Sequence, residues 1–467
     1  MKEETMKSRV AKKAMMVAAG AALFATVGMT GIADAATREM NIYGASAQYL
    51  FWNDLADNFL TSKGCSNIRQ ATDSSGKHGI TMGDNCSAYS GDNVWIRYSS
   101  KASYDGIFAV QGDVYDMAGN LISWANADPD GCGDNHMRLM ADETSISGTT
   151  VGSTKCVRVV IGASDVAGES LTQQSHGVLK GPNGGAWTDR VFSGVWTKGE
   201  WPPDGDTHTL EYKRPVVVPF GFFANDSVTV SRCAGGDYAG EMCTTATATT
   251  DCGSGVSCTA ATLDNITREM AVNIFSGQSW YWTDFGAAFP SSDIIACMRH
   301  AGSGTHATLD YAVVRGNGWG AQLSINESSG GPTTWFNDGS SDEMKCVNQL
   351  SGAIGYADAD QSLTSYTSVN ALKYQGARGT RVNIRNGIYD FWANQWLYYP
   401  GLDAPEVEPN YTTTHPVYLD MAAYASDPAN IPSTKARFWA TADEMVYGKT
   451  TDQSYPLYQG AANLQTP

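Results

Sequence analysis

Four times along this chain an apolar, strand-like run ends in a turn of small residues and gives way to a new element. The first is Met40-Asn41-Ile42-Tyr43, then Gly44-Ala45-Ser46-Ala47-Gln48-Tyr49, then Phe51, Leu55 and Phe59 at the four-residue spacing of one helix face. The second is residues 94–98, a Ser-rich turn at 99–105, and an element starting at Gly106. The third is residues 157–161 followed by Gly162-Ala163-Ser164-Asp165. The fourth is residues 294–298, then Arg299-His300-Ala301-Gly302-Ser303-Gly304-Thr305, then a helix-like pattern through residue 314. Such a recurrence places the chain in the α/β class. In open sheets of that class, ligands bind at the carboxyl ends of the strands.

The fourth turn is the richest chemically. A helix N-terminus presents backbone N–H groups without partners and a partial positive charge, which suits an anion. Gly302 and Gly304 permit close backbone approach, Ser303 and Thr305 add hydroxyls, and Arg299 adds a planar, bidentate charge. Asp165 at the third turn is readable either as a helix cap or as a site residue.

The first residues have the form of an export signal. A basic segment with Lys7, Arg9, Lys12 and Lys13 precedes an apolar stretch at 14–32 and the small-x-small site Ala33-Asp34-Ala35. No later apolar run is long enough to span a bilayer. Residues 1–35 carry five Lys/Arg and three Asp/Glu, so their removal takes the net charge from −17 to −19. So acidic a chain is a poor partner for nucleic acid or an anionic membrane. An anion site on it must work through local donors. The ten cysteines all follow the signal, an even number in an exported chain, which reads as disulfides. Pairing of neighbours, Cys65–Cys86 and Cys132–Cys156, is the simplest arrangement. Spacing alone leaves connectivity open.

Between these units, residues 61–93 read as a polar, stapled excursion and 111–150 as a loop-heavy insertion. Asp128, Asp130 and Asp134 have oxygen-ligand spacing, but Leu139 stands where a calcium loop needs Glu. Residues 176–210 read as a long connection and 215–223 as a buried strand. Residues 233–262, with four Cys, read as an exposed loop, and 266–275 as a helix. Gly352-Ala353-Ile354-Gly355-Tyr356 reads as a short buried strand and a candidate crossing between domains. The seven His form no metal-ligand spacing. Gly448-Lys449-Thr450 lacks the Gly a nucleotide loop needs at 443. No cofactor and no metal is implied.

Taken in order, the turns resemble those of the phosphate-binding proteins that serve ABC transporters, in the type 2 periplasmic-binding-protein superfamily. Residues 44–49 are similar to that family's opening Gly-Ala-Gly-Ala-Thr-Phe, residues 162–165 to its Gly-Ala-Ser-Asp turn, and Arg299 with residues 302–305 to its Arg-x-x-Gly-Ser-Gly-Thr loop. Residues 352–356 resemble its Gly-x-Ile-Gly-Tyr crossing strand. The resemblance implies a two-lobed α/β fold with a hinge of crossing strands. It implies lobe 1 at 36–220, lobe 2 at 221–354, and a return to lobe 1 at 355–467. It also implies an oxyanion site of Gln48, Tyr49, Ser103 and Asp165 from one lobe and Arg299, Ser303, Gly304 and Thr305 from the other. The implied function is phosphate binding without covalent chemistry, in the periplasm or outside the cell, with an ABC permease as a candidate partner.

Gln48 stands where the family has Thr, and Ala301 where it usually has Asp. Together with the Cys-bearing insertions, these differences suit a rival reading, a secreted surface or matrix protein with a vestigial site. Tungstate or another oxyanion is the rival ligand. A third reading is a carbohydrate-binding or hydrolytic protein using aromatic residues such as Trp280-Tyr281-Trp282.

Overall fold

The structure, a computed structural model, describes residues 35–112, 131–171, 178–183, 186–191, 207–300, 302–315 and 333–459. The signal segment through residue 34 lies outside these residues, as do Asp128, Asp130 and Ala301. Asp134 is described, and its carboxylate accepts the His136 N–H at 2.7 Å.

The fold is mixed α/β and is built on two nine-stranded sheets. The first has a parallel centre in which Thr37–Ala45 lies between Asp92–Lys101 and Ile161–Ser164. The second has a parallel centre in which Ile295–Arg299 lies between Thr333–Asn337 and Ala353–Asp358. Each centre therefore sends its turns out at one edge, the carboxyl ends of its strands. Phe51, Leu55 and Phe59 on the helix Tyr49–Ser62 are fully buried, as their spacing requires.

One antiparallel ribbon passes directly from the first sheet into the second. Glu211–Lys213 pairs with Trp396–Tyr399 in the first sheet. The chain then runs directly into Val216–Asn225, which pairs with Trp392–Asn394 and then with Ala353–Asp358 of the second sheet. This ribbon is the hinge. The strand at 353–358 was the expected crossing. It lies inside the second sheet instead, fully buried, because its six residues are flanked by strands on both sides. The chain accordingly regains the first sheet at Trp396, not at residue 355.

Other segments also differ from expectation. Residues 61–93 are not an excursion. Ser66–Thr72 and His78–Cys86 are strands of the first sheet, and the disulfide Cys65–Cys86 joins their far ends. Within the expected connection 176–210, Val178–Asn183 and Ala186–Val191 form a hairpin that extends the second sheet. Residues 233–262 are a stapled hairpin, Thr229–Cys233 against Cys258–Thr262, closed by Cys233–Cys252 and Cys243–Cys258. With Cys132–Cys156 and Cys297–Cys346, all ten cysteines are paired. Among the described residues no helix is long and apolar enough to cross a membrane.

Candidate functional site

Each site residue follows the carboxyl end of a parallel strand. Ser46 follows Thr37–Ala45, Ser103 follows Asp92–Lys101, and Asp165 follows Ile161–Ser164. From the second sheet, Arg299 ends its own strand, and Asp338 to Ser340 follow Thr333–Asn337. Glycine makes this convergence possible in the first lobe. The helix Ser103–Gln111 lies against the sheet at Gly106, where a Cβ would sit 2.5 Å from the Tyr43 carbonyl. A larger residue would lift the helix and carry Ser103 with it.

The two lobes meet at these turns. Ser103 Oγ accepts the Asp165 N–H from its own lobe and the Gly304 N–H from the other, both at 3.1 Å. The Tyr104 N–H donates to the Gly302 carbonyl at 3.0 Å. Thr305 Oγ1 donates to Asp165 Oδ2 at 3.3 Å. Gly302 and Gly304 thus allow close approach to the opposite lobe. A Cβ on Gly304 would lie 2.5 Å from Ser103 Oγ and 2.7 Å from Asp165 Cβ. Ser303 caps the short helix Gly304–Thr308, its hydroxyl accepting the His306 N–H at 3.3 Å. Its own hydroxyl proton can still be donated.

Arg299 is held at the centre. Its Nη2 donates to the Asp338 carbonyl at 2.7 Å, and its Nη1 to Ser46 Oγ at 3.0 Å and Ser340 Oγ at 3.4 Å. Ser46 comes from the opposite lobe, and its hydroxyl also accepts the Ser340 N–H at 3.3 Å. Arg299 Nε is buried and has no hydrogen-bond partner, and the same is true of Asp165 Oδ1. These two atoms, a donor on a permanent cation and an acceptor on a carboxylate, are the unused capacity of the site.

The surroundings tune the charges. Burial pushes the Asp165 carboxyl up to about 6, against the pull of Arg299 and the Thr305 hydroxyl. His306 is pushed down to about 3, by burial and then by Arg299, so its ring is neutral. Its Nδ1 pairs with the Tyr356 hydroxyl, which itself accepts the Arg299 N–H at 3.1 Å. His300 is likewise held well below its ordinary value by burial and then by Arg299. Its Nδ1 accepts the Gly302 N–H at 3.0 Å, a role that requires a neutral ring. Burial also raises Glu343 well above its ordinary value, against the pull of Arg299.

The eight residues expected at the site are all buried or at the lobe contact, with two divided roles. The Gln48 amide donates to the Ser164 carbonyl and accepts from the Trp52 indole, both at 2.9 Å, so it braces the Asp165 turn. Tyr49 packs its ring edge-on to Tyr98 at 5.8 Å, and its N–H is bonded to the Ser46 carbonyl. Ser103, Asp165, Arg299, Ser303, Gly304 and Thr305 come together. Asp165 is a buried acceptor toward Thr305 and caps no helix; the next helical turn begins at Gly168. Ser46, Ser340 and the Asp338 carbonyl complete the set and were not anticipated. Ser340 follows Asn337-Asp338-Gly339, another strand, small turn and helix start of the recurring kind.

No family model matches the chain, and no curated protein matches it. Several solved structures do. Among them are phosphate-binding proteins. A putative phosphate ABC transporter substrate-binding protein with bound phosphate, from Clostridium perfringens, is 13% identical, with 82% of this chain and 92% of that chain covered and a TM-score of 0.42. A high-affinity periplasmic phosphate-binding protein, PfluDING, bound with phosphate, is 11% identical, with 86% and 90% covered and a TM-score of 0.43. The ancestral soluble variant of the human phosphate-binding protein is 12% identical, with 90% and 96% covered and a TM-score of 0.41.

Proposed function

We propose that this chain is an exported solute-binding protein that closes its two lobes on a protonated tetrahedral oxyanion, phosphate first. The observation that carries this reading is the pairing of Arg299 Nε and Asp165 Oδ1, both buried, both unbonded, and set among the hydroxyls of Ser46, Ser103, Ser303, Thr305 and Ser340. The arginine meets the ion's charge. The carboxylate repels any fully ionised oxyanion and accepts a hydrogen bond from one that still carries a proton. Phosphate and arsenate keep a proton near neutral pH, whereas sulfate and tungstate do not, so the site discriminates by an unpaired charge. The reading includes no covalent step. Delivery to an ABC permease belongs to the same reading, and the ten paired cysteines suit an oxidising compartment.

Titration calorimetry with phosphate, arsenate, sulfate and tungstate tests it. Phosphate and arsenate should bind at least about a hundredfold more tightly than sulfate, the scale of one desolvated charge pair. Tighter binding of sulfate or tungstate would reassign the ligand and reduce Asp165 to a scaffold role.

A further inference from the structure

A cavity of about 220 Å³ lies against the hinge strand Val216–Asn225, and none of its lining residues belongs to the Arg299 site. Phe222, Phe223 and Leu372, all buried, and the half-buried Phe438 give it an apolar lining. Two exposed arginines, Arg378 and Arg437, also line it, and among the described lining residues there is no Asp or Glu. We propose that this cavity is a second ligand site, which takes a small organic anion with a flat apolar body, an aryl carboxylate of about the size of benzoate. The proposal does not depend on the Arg299 reading.

The backbone brings the two arginines to one place. Gly379 presses its loop onto the hinge strand, where a Cβ would lie 3.1 Å from the Phe220 carbonyl and 3.2 Å from Pro219 Cβ. The Arg381 N–H donates to the Arg437 carbonyl at 2.9 Å, which ties the loop carrying Arg378 to the segment carrying Arg437. The Ala359 N–H donates to the Pro219 carbonyl at 2.8 Å and fixes a third lining turn on the same strand. Arg378 Nη1 donates to the Ala371 carbonyl at 3.1 Å, and the guanidinium of Arg437 lies over the Phe438 ring at 5.6 Å. Both forks keep further donors for a ligand.

The charges around the cavity leave these two uncompensated. Neither arginine is ion-paired among the described residues. Glu444 is shared by Arg381 and Arg385, and Asp360 is held by Lys435 at 2.7 Å and by the Trp439 indole at 2.9 Å. Asp358 accepts from the Gln361 amide, and burial, then Asp360 beside it, hold its carboxyl well above the ordinary value, so it is uncharged. Two guanidinium groups thus stand without a counter-charge on a chain whose net charge is −17. A guanidinium takes a carboxylate through two parallel N–H donors and also stacks on an aromatic face. A bare inorganic ion would meet the arginines and leave the apolar lining wet. A water takes about 30 Å³, so the volume suits a body of several heavy atoms, the scale of one ring.

A ligand-observed NMR titration of the signal-cleaved chain with benzoate, benzamide and acetate at fixed ionic strength tests this. Benzoate should bind with a Kd at or below about 1 mM. It should bind at least about tenfold more tightly than benzamide, which lacks the charge, and than acetate, which lacks the ring. The double variant Arg378→Ala, Arg437→Ala should lose that advantage over benzamide, with its circular dichroism and phosphate affinity unchanged. Benzamide or acetate binding as tightly as benzoate, no benzoate binding in the millimolar range, or full benzoate affinity in the double variant would each overturn the site. Displacement of benzoate by inorganic phosphate would overturn it too, by moving benzoate to Arg299. A chain that binds benzoate as described and does not bind phosphate would keep this site and strike the Arg299 reading alone.

Discussion

Arg299 shows how one side chain can join two lobes. It is almost wholly buried and bonded to its own lobe at Asp338 and to the other at Ser46. A planar fork with several donors makes both contacts and still leaves Nε for a ligand, which a lysine cannot do. Arg299→Ala should therefore weaken phosphate binding by several kcal/mol, since charge-assisted bonds contribute about 1.5–3 kcal/mol each. Arg299→Lys should recover little of the loss. Calorimetry that found wild-type affinity in either variant would place the ion elsewhere.

Asp165 gives the site a pH dependence whose sign is fixed. Its folded pKa of about 6 lies above the ordinary 3.8, so between those values the folded chain holds more protons than the unfolded chain. Stability without ligand therefore falls as pH rises from about 4 to about 6, by roughly 3 kcal/mol, and is then level with respect to this group. Binding runs the other way, because a protonated Asp165 has lost the charge that makes it a strong acceptor for the ligand's proton. Phosphate affinity should drop as pH falls through about 6. Asp165→Asn should flatten that acid limb and admit sulfate. An acid limb that persists unchanged in the Asn variant would mean that some other group produces it.

At the level of elements, the sequence was most readable where chemistry is local. The turn after residue 298 starts only one residue late and that after residue 43 two residues late, because strand ends, glycine and helix starts leave short-range signals, whereas Gly162 to Ser164 are strand and the third turn starts only at Asp165. What escaped was long-range. Residues 353–358 carry the apolar pattern of any buried strand, and nothing in that pattern says which strands flank it. Ser340 lies 41 residues beyond Arg299, and its bond to Arg299 depends on two parallel strands lying side by side. Gln48 kept its place in the turn, but its partner Trp52 sits one helical turn on and turns a prospective ligand into a brace. The disulfide Cys297–Cys346 ties the same two elements, the Arg299 strand and the helix Ser340–Gln349, and both its cysteines are fully buried. Replacing that pair with alanines should cost stability, typically about 2–5 kcal/mol, and also weaken phosphate binding. Replacing Cys243 and Cys258, in the peripheral hairpin, should leave phosphate affinity unchanged. Equal effects of the two double variants on affinity, measured on protein that is folded in both cases, would show that the buried disulfide does not position the site.

For the whole molecule, the question is how the lobes stay together. The ribbon passes from one sheet to the other near residues 213–216 and 394–396, where a bend would part the lobes. Across the mouth stand the bonds at Ser103, Tyr104, Thr305 and Arg299 and the ion pair of Lys77 with Asp342. A second tie comes from residues 449–455. Asp452 accepts the Ala167 N–H at 2.6 Å and the Ser170 hydroxyl at 3.0 Å, both just beyond Asp165. In the same segment Lys449 lies 4.4 Å from the centre of the Trp392 ring on the hinge, and Tyr455 stacks on Arg315 at the end of the Arg299 unit. The mouth contacts are few and partly polar, each net contribution being about 1 kcal/mol, so water competes with them well. An oxyanion that bonds both Arg299 and Asp165 adds differential affinity for the closed form, and only such a difference can shift the equilibrium. Small-angle scattering should therefore show a smaller radius of gyration with saturating phosphate than without it. Gly304→Ala should abolish that change, because its Cβ would meet Ser103 and Asp165 across the mouth. If wild type binds phosphate tightly and its radius does not move, the closed arrangement is preformed. The affinity of Gly304→Ala would then report only a local clash at the site.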